Sequence, residues 1–260
     1  MDDSLSVVTW NVLAQAYVKA ERYPRSSPDA LAAEPRRQRL VEQLVALDAD
    51  LYCLQEVEPD AFEAFVAALP GHAGHFVPKH ARPDGAALIY RTASLHLHET
   101  RALHYDAIEP GYDHVAAIGL FGHRGRRFGA ASTHLRWQRR DTPRERHLGR
   151  LQLLELLDVV DELRDGWPDW MVAGDFNALS ESVVIQAALE RGFRLSCRTQ
   201  RPWDTVNIDG RRRKLDYLLY TPGRLVPHPG TLPQLERTTP MPSTTFPSDH
   251  LPVAVRFTGS

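Results

Sequence analysis

Two rhythms alternate along this chain. Short apolar runs predict strands at 5–10 and 50–55. Leu40, Leu44 and Leu47 recur at spacings of four and three, which predicts an amphipathic helix over 36–47. A second helix over 59–69 opens on Pro59 and Asp60, residues suited to a first helical turn. Between the first strand and the first helix, Pro24, Pro28 and Pro35 interrupt the pattern, so 11–35 reads as a long loop. Loops of that length in compact proteins often carry function.

The middle of the chain is strand-rich. Residues 71–78 read as a loop leading into a strand. Apolar runs at 86–90, 95–103, 114–121 and 127–133 predict four more strands, with a hairpin turn over 121–127. A helical period then runs through Leu148, Leu151, Leu154 or Leu156 and Val159 or Val160, predicting a long helix over 143–163. The last third alternates again. A strand is expected at 170–173, a helix at 181–191, irregular chain at 193–213, and strands at 214–220 and 252–257. No repeat and no Gly/Ser linker interrupts the series, so one domain over 1–260 is the economical reading. Helices in two groups around strands imply two stacked sheets flanked by helices.

Composition narrows the picture. The net charge of −2 argues against a protein that simply coats duplex DNA. Lysine occurs only at 19, 79 and 214, so nearly all positive charge is arginine, which suits bidentate phosphate contacts. The two cysteines, Cys53 and Cys197, make neither a disulfide framework nor a zinc cluster, and a reducing cytoplasm is the simplest expected home. No basic–apolar leader is visible at the start, and no apolar run is long enough to span a membrane. His96 and His98, two apart on one strand, raise zinc only weakly, because no third ligand is evident.

Several strands end in polar residues that folding does not require. These are Thr9-Trp10-Asn11, Leu54-Gln55-Glu56-Val57, Ser132-Thr133-His134-Leu135, Gly174-Asp175-Phe176-Asn177 and Ser248-Asp249-His250. Asp216 lies inside the otherwise apolar strand beginning Leu215, where an unpaired carboxylate is costly. Each has a bland reading alone. Asn11 could end a strand, Glu56 could be an edge charge, His134 a core histidine, and Asp175 with Asn177 an Asx-type turn. Together they match the needs of phosphodiester cleavage. A hard cation takes oxygen ligands, which Glu56 and the amide oxygen of Asn11 supply. Asp175 suits activation of water, and Asn177 can donate to developing phosphate charge. His134 and His250 can bind non-bridging oxygens, and Asp216 can orient and charge His250.

In this order, from Asn11 to His250, the motifs resemble the endonuclease/exonuclease/phosphatase (DNase I-like) superfamily over nearly the full chain. The resemblance implies an α/β fold, a four-layer α-β-β-α sandwich with two packed mixed sheets. It implies Mg²⁺ or Mn²⁺ held by Asn11 and Glu56, a catalytic set of His134, Asp175, Asn177, Asp216 and His250, and Asp249 near the metal. Within that superfamily the chain is most similar to the CCR4, nocturnin and Angel group. The segments carrying this are Asn11-Val12-Leu13-Ala14 with Tyr17, Glu34-Pro35-Arg36-Arg37, Thr133-His134-Leu135-Arg136-Trp137 and Pro247-Ser248-Asp249-His250.

That group implies a hydrolase acting on RNA 3′ ends or related nucleotides, either shortening the chain or removing a terminal or cyclic phosphate. No leucine-rich docking-repeat region is visible, and the basic segment from Trp203 to Lys214 departs from the group, which weakens a poly(A)-specific reading. Arg36, Arg136 and Trp137 are the expected substrate contacts, with Trp203 and the run 211–214 behind them. Two other functions compete: a phospholipid or inositol phosphatase on the same fold, and a binding module without catalysis. The first lacks an evident membrane-facing amphipathic helix, and the second usually loses site residues that are all present here.

Overall fold

The computed structural model describes residues 4–108, 111, 113–197, 203–208 and 210–259. Strands β1 (Leu5–Asn11), β2 (Leu51–Val57), β3 (His72–Pro78) and β4 (Gly85–Arg91) come first, with helices α1 (Pro28–Leu31), α2 (Ala33–Leu47) and α3 (Pro59–Ala68) between them. Strands β5 (His96–His104), β6 (Val115–His123), β7 (Arg126–His134) and β8 (Asp169–Asp175) follow, with α4 (Leu148–Leu163) before β8 and α5 (Val183–Glu190) after it. The chain closes with β9 (Arg194–Leu195), β10 (Val206–Ile208), β11 (Arg211–Arg213), β12 (Asp216–Tyr220), β13 (Leu225–Pro229) and β14 (Val253–Gly259). Among the described residues these make two six-stranded mixed sheets, β13-β14-β1-β2-β4-β3 and β5-β6-β7-β8-β12-β9, plus a β10–β11 ribbon.

Three apolar clusters define four layers. Leu40, Leu44 and Phe65 of α2 and α3 pack on Val8, Trp10, Tyr52 and Ile89, the outer face of the first sheet. Val7, Cys53 and Leu88 of that sheet meet Phe121, Ala130, Met171 and Leu218 of the second. On the far side, Leu153, Leu157 and Val160 of α4, with Val184 and Ala188 of α5, cover Ile118, Trp170 and Val172. Period-2 alternation in the strands and period-3.6 stripes in the helices therefore meet face to face, as the expected α-β-β-α sandwich requires.

Some elements differ from the sequence reading. The helix expected from 143 starts at Leu148: Arg144–Arg146 form a separate 3₁₀ turn, and His147 caps α4 by accepting from Arg150 N at 3.3 Å. Residues 72–78 are strand throughout. As β3 is a sheet edge, it tolerates His72, Gly74 and His75 where an apolar run would be expected. Strand β13 escaped notice because Pro227 and Pro229 interrupt it, and it too is an edge, where a missing donor costs no ladder bond. The segment read as irregular, 193–213, contains β9 and the β10–β11 ribbon; 198–202 and 209 lie outside the described residues. The expected loop at 11–35 is loop with two 3₁₀ turns and the short α1. The turn between β6 and β7 is tight: Arg124 and Gly125 sit at φ 48° and 78°, the pair of positive angles that a two-residue hairpin needs.

Candidate active site

The parallel pairs β1–β2 and β7–β8 bring four motif-bearing strand ends to one end of the sandwich. Asn11 stands beside Gln55, and His134 beside Asp175. Antiparallel β12 sets Asp216 directly opposite Asp175. A buried polar staple fixes the two sheets beneath them: Gln55 Nε2 donates to Ser132 Oγ at 3.0 Å, and Ser132 Oγ donates to Leu54 O at 2.9 Å.

Two local distortions aim the side chains. The β2–β4 register slips between Gln55 and Val57, and Glu56 takes a left-handed φ of 54°. The bulge breaks the alternation that would have set Glu56 by strand parity, at a backbone cost of roughly 1–2 kcal/mol for a non-glycine residue. Gly174 lies at φ 151°, and a Cβ there would stand 1.8 Å from Thr133 O. Only glycine lets β8 approach β7 so closely just before Asp175.

Asp175, Asp216 and His250 are all buried, with one ligand atom from each within 4.8 Å of the others. His250 Nδ1 lies 2.9 Å from Asp216 Oδ2, and Thr205 Oγ1 donates to the same oxygen at 2.6 Å. His250 Nε2 faces Asp175 Oδ2 at 3.7 Å. Burial works against the charge on His250, but Asp216 and then Asp175 outweigh it and hold the imidazolium well above the usual histidine range. A cationic His250 makes this trio an ion-paired dyad plus a base, not a metal cage. Burial pushes the Asp175 carboxyl up to about 7, against the pull of His250.

His134 behaves oppositely. Burial, with the nearby charge of Lys79, holds it well below the usual range, so it is neutral. Its Nε2 accepts from Asn177 Nδ2 at 2.9 Å, which puts the ring proton on Nδ1, 3.8 Å from Glu56 Oε1. The other Asn177 amide hydrogen goes to Leu135 O at 3.0 Å. Both donors are committed, so Asn177 as placed orients His134 and does not present a free donor to phosphate, contrary to the sequence expectation. Asn11 also departs from expectation. Its oxygen accepts from Leu13 N at 3.0 Å, and its nitrogen bridges Glu56 Oε1 at 3.0 Å and Asp175 Oδ2 at 3.2 Å. It spaces two carboxylates and turns its amide nitrogen, not its oxygen, toward them.

The acidic half of the site fits a hard cation. Burial and then the charge of Asp249 raise the Glu56 carboxyl, so the two negative charges repel across the site. Asp249 Oδ1 is buried with no hydrogen-bond partner, while its Oδ2 accepts from Tyr23 Oη at 3.0 Å. Two mutually repelling carboxylates, one with an unpartnered buried oxygen, are the donor set a divalent metal satisfies.

Among the expected substrate contacts, Trp137 is exposed and lines a cleft of about 640 Å³ that starts at Asn177. Arg136 is half-buried and is not among the residues lining that cleft. Arg36 is corrected outright. It is 3% exposed, and its guanidinium donates to Val12 O, Leu13 O, Pro247 O and Gln15 Oε1. It ties the loop after β1 to the segment before Ser248 and has no face left for substrate. Trp203 packs against the inter-sheet core. His96 and His98 lie edge to face, and among the described residues no third ligand joins them.

Sequence reasoning missed Lys79, Asp84, Tyr17 and Tyr23 as contributors to the site. Lys79 is buried, pairs with Asp84 at 2.5 Å, and supplies positive charge beside His134. Tyr17 Oη donates to Asp84 at 2.6 Å, and Tyr23 holds Asp249. From the basic run expected to contact substrate, Arg213 joins Trp137, Arg139 and Arg140 on the cleft wall. Lys79 had one signal, its rarity: it is one of three lysines.

The whole architecture recurs in known proteins. Rat nocturnin is 28% identical over 97% of this chain and 65% of its own length. Nocturnin of Drosophila melanogaster is 26% identical over 98% and 47%, and the Ccr4 3′-5′-exoribonuclease subunit of the CCR4-Not complex from Debaryomyces hansenii 23% over 98% and 39%. The chain thus spans less than two thirds of the length of these relatives. The human nocturnin catalytic domain superposes with a TM-score of 0.77 at 26% identity, covering 100% of this chain and 96% of that one. The 2′,3′-cyclic phosphatase ANGEL2, solved with adenosine-2′,3′-vanadate, superposes with a TM-score of 0.82 at 19% identity, covering 98% and 95%, a likeness of fold. The model of the endonuclease/exonuclease/phosphatase family matches residues 8–250, and the chain belongs to that family.

Proposed function

We propose that the chain is a divalent-metal-dependent hydrolase of phosphate esters at RNA 3′ ends or on related nucleotides. The observation that carries this reading is the buried geometry around Asp175. His134 Nε2 and His250 Nε2 stand 3.6 and 3.7 Å from its Oδ2, with Asp216 holding His250 at 2.9 Å and Asn11 linking Asp175 to Glu56. Enzymes of this family are generally metal-dependent.

Glu56 and Asp249 would hold Mg²⁺ or Mn²⁺, which when bound supplies charge neutralisation on the phosphate. The chain's own residues do the rest. Asp175, with a carboxyl near neutrality, accepts the proton of the attacking water. His250, kept cationic by Asp216, donates to the phosphate oxygens as negative charge builds. Asn177 fixes the neutral tautomer of His134, and Asn11 holds Asp175 apart from Glu56.

The cleft supports a nucleotide substrate. Trp137 offers a stacking face at 54% exposure and Arg213 a phosphate contact along its wall, where Arg139 and Arg140 pair with Asp141 and Glu181. Among the described residues no helix is long and apolar enough to cross a membrane, and none of these observations favours a lipid head group.

A substrate panel tests the reading. It compares 3′-OH RNA, 2′,3′-cyclic-phosphate RNA, 2′-5′ oligoadenylate, abasic DNA and NADP-type nucleotides. Progressive shortening of RNA places the activity with the nocturnin and Ccr4 exoribonuclease pattern. Loss of a terminal phosphate at unchanged length places it with a cyclic-phosphatase pattern. Turnover on none of them with Mg²⁺ or Mn²⁺ overturns the proposal.

A further inference from the structure

A second cluster of ligating side chains stands apart from the carboxylates of the active site. His80 follows β3, at the edge of the first sheet. His104 ends β5, at the edge of the second, and Asp106 lies in the 3₁₀ turn after it. One ligand atom from each residue lies within 4.8 Å of the others. The two imidazoles stack with centroids 4.2 Å apart at 16°, and His80 Nε2 is 3.8 Å from Asp106 Oδ2.

Stacking alone accounts for two parallel rings. It does not account for two other features. His104 Nδ1 is shut off from solvent and finds no hydrogen-bond partner. Glu155 of α4 lies close enough that burial and then the charge of Asp106 raise its carboxyl, and its Oε2 is likewise buried and unpartnered. A cation coordinated through His104 Nδ1 would satisfy that nitrogen and balance the negative charge of Asp106.

We propose that His80, His104 and Asp106 form a binding site for a borderline transition cation such as Zn²⁺. Imidazole ligands select Zn²⁺, Ni²⁺ or Cu²⁺ over the Mg²⁺ suited to Glu56 and Asp249. Tetrahedral Zn²⁺ with bonds of about 2.0–2.1 Å sets its ligand atoms about 3.3 Å apart. The present spacing must therefore close by roughly 1.5 Å at most, and, because stacked rings hold their lone pairs in separate planes, the His80 ring must also turn out of the stack. The side chains of His80 and Asp106 are 66% and 55% exposed, so both can turn, while the backbone at 80 and 81 is anchored by Asp113 at 2.6 and 2.5 Å. The bound ion would link the open edges of the two sheets, next to Lys79 and the His134 side of the site.

The test uses the tag-free full chain carrying Glu56→Gln, in excess Mg²⁺, with Zn²⁺ as the probe. Equilibrium dialysis and thermal melting are the readouts. One Zn²⁺ is expected to bind and raise the melting temperature. Adding His80→Gln or Asp106→Asn, both at exposed positions, is expected to weaken binding about 10–100-fold and remove the shift. Unchanged Zn²⁺ affinity in both variants overturns the proposal, as does no bound Zn²⁺ at all. If His250→Gln abolishes the bound ion and His80→Gln does not, the ion belongs to the catalytic cluster and the proposal also fails.

Discussion

Asp175 concentrates the conflict at the centre of this site. It is fully enclosed, faces Asp216 across the β8–β12 pair, and keeps its proton up to about pH 7. The sign for stability follows directly. Between the ordinary carboxylate range and about pH 7, the unfolded chain releases a proton that the folded chain retains, so metal-free stability falls as pH rises through that window. Asp175→Asn removes this dependence. In chelator at pH 7.5 the variant should melt higher, by about 0.5–2 kcal/mol, while kcat drops about 10²–10⁴-fold. A variant that melts lower at pH 7.5, or keeps its kcat, contradicts the assignment. Single residues were also where the sequence was most misleading. Arg36 sits in a motif and carries the charge that phosphate contacts favour, yet tertiary packing used it on backbone carbonyls. No pattern along the chain records which carbonyls will be orphaned in three dimensions. The roles of Asn11 and Asn177 differed for a related reason: their residue types were legible, but which end of each amide faces the site depends on neighbours.

Loops and strand ends, more than individual groups, set the shape of the site. The loop after β1 reads in sequence only as a proline-broken stretch. In the fold Tyr17, Tyr23 and Arg36 tie it to Asp84, Asp249 and Pro247, so it forms one wall of the site. Arg36→Met leaves several buried carbonyls without donors and should destabilise the protein by about 2 kcal/mol or more. Any loss of activity should come without a change in the salt dependence of KM, whereas a phosphate contact would change it. Glycine 174 gives a matching prediction for the strands. Gly174→Ala meets Thr133 O and should cost on the order of 3 kcal/mol, visible as a lower denaturant midpoint. Near-wild-type stability would mean β8 and β7 are less tightly apposed than described. Central strands were legible because their apolar runs are buried on both faces. Edge strands β3 and β13 were not, because histidines, Gly74 and prolines are tolerated where one side lacks a partner.

Across the whole molecule, the sandwich explains why distant motifs form one site. The β1–β2 and β7–β8 pairs are parallel, one in each sheet, so their ends carry the chemistry to the same side of the molecule. This arrangement was legible from the ordered motifs but not from periodicity, since alternation cannot tell which strands are neighbours. The cleft beside the site belongs to this scale as well. Trp137→Ala should raise KM about 5–150-fold with kcat little changed, if Trp137 stacks on a base. An unchanged KM would place substrate elsewhere. Glu56, held at a left-handed backbone angle, is the proposed anchor of the metal in this phosphoester hydrolase. The most direct test of that role is Mg²⁺- and Mn²⁺-dependent hydrolysis of RNA with 3′-OH and 2′,3′-cyclic-phosphate ends, comparing wild type with Glu56→Gln at equal folded concentration. The expected result is turnover that a chelator abolishes and that falls at least about 10³-fold in the variant. Full metal-dependent turnover by Glu56→Gln would contradict it.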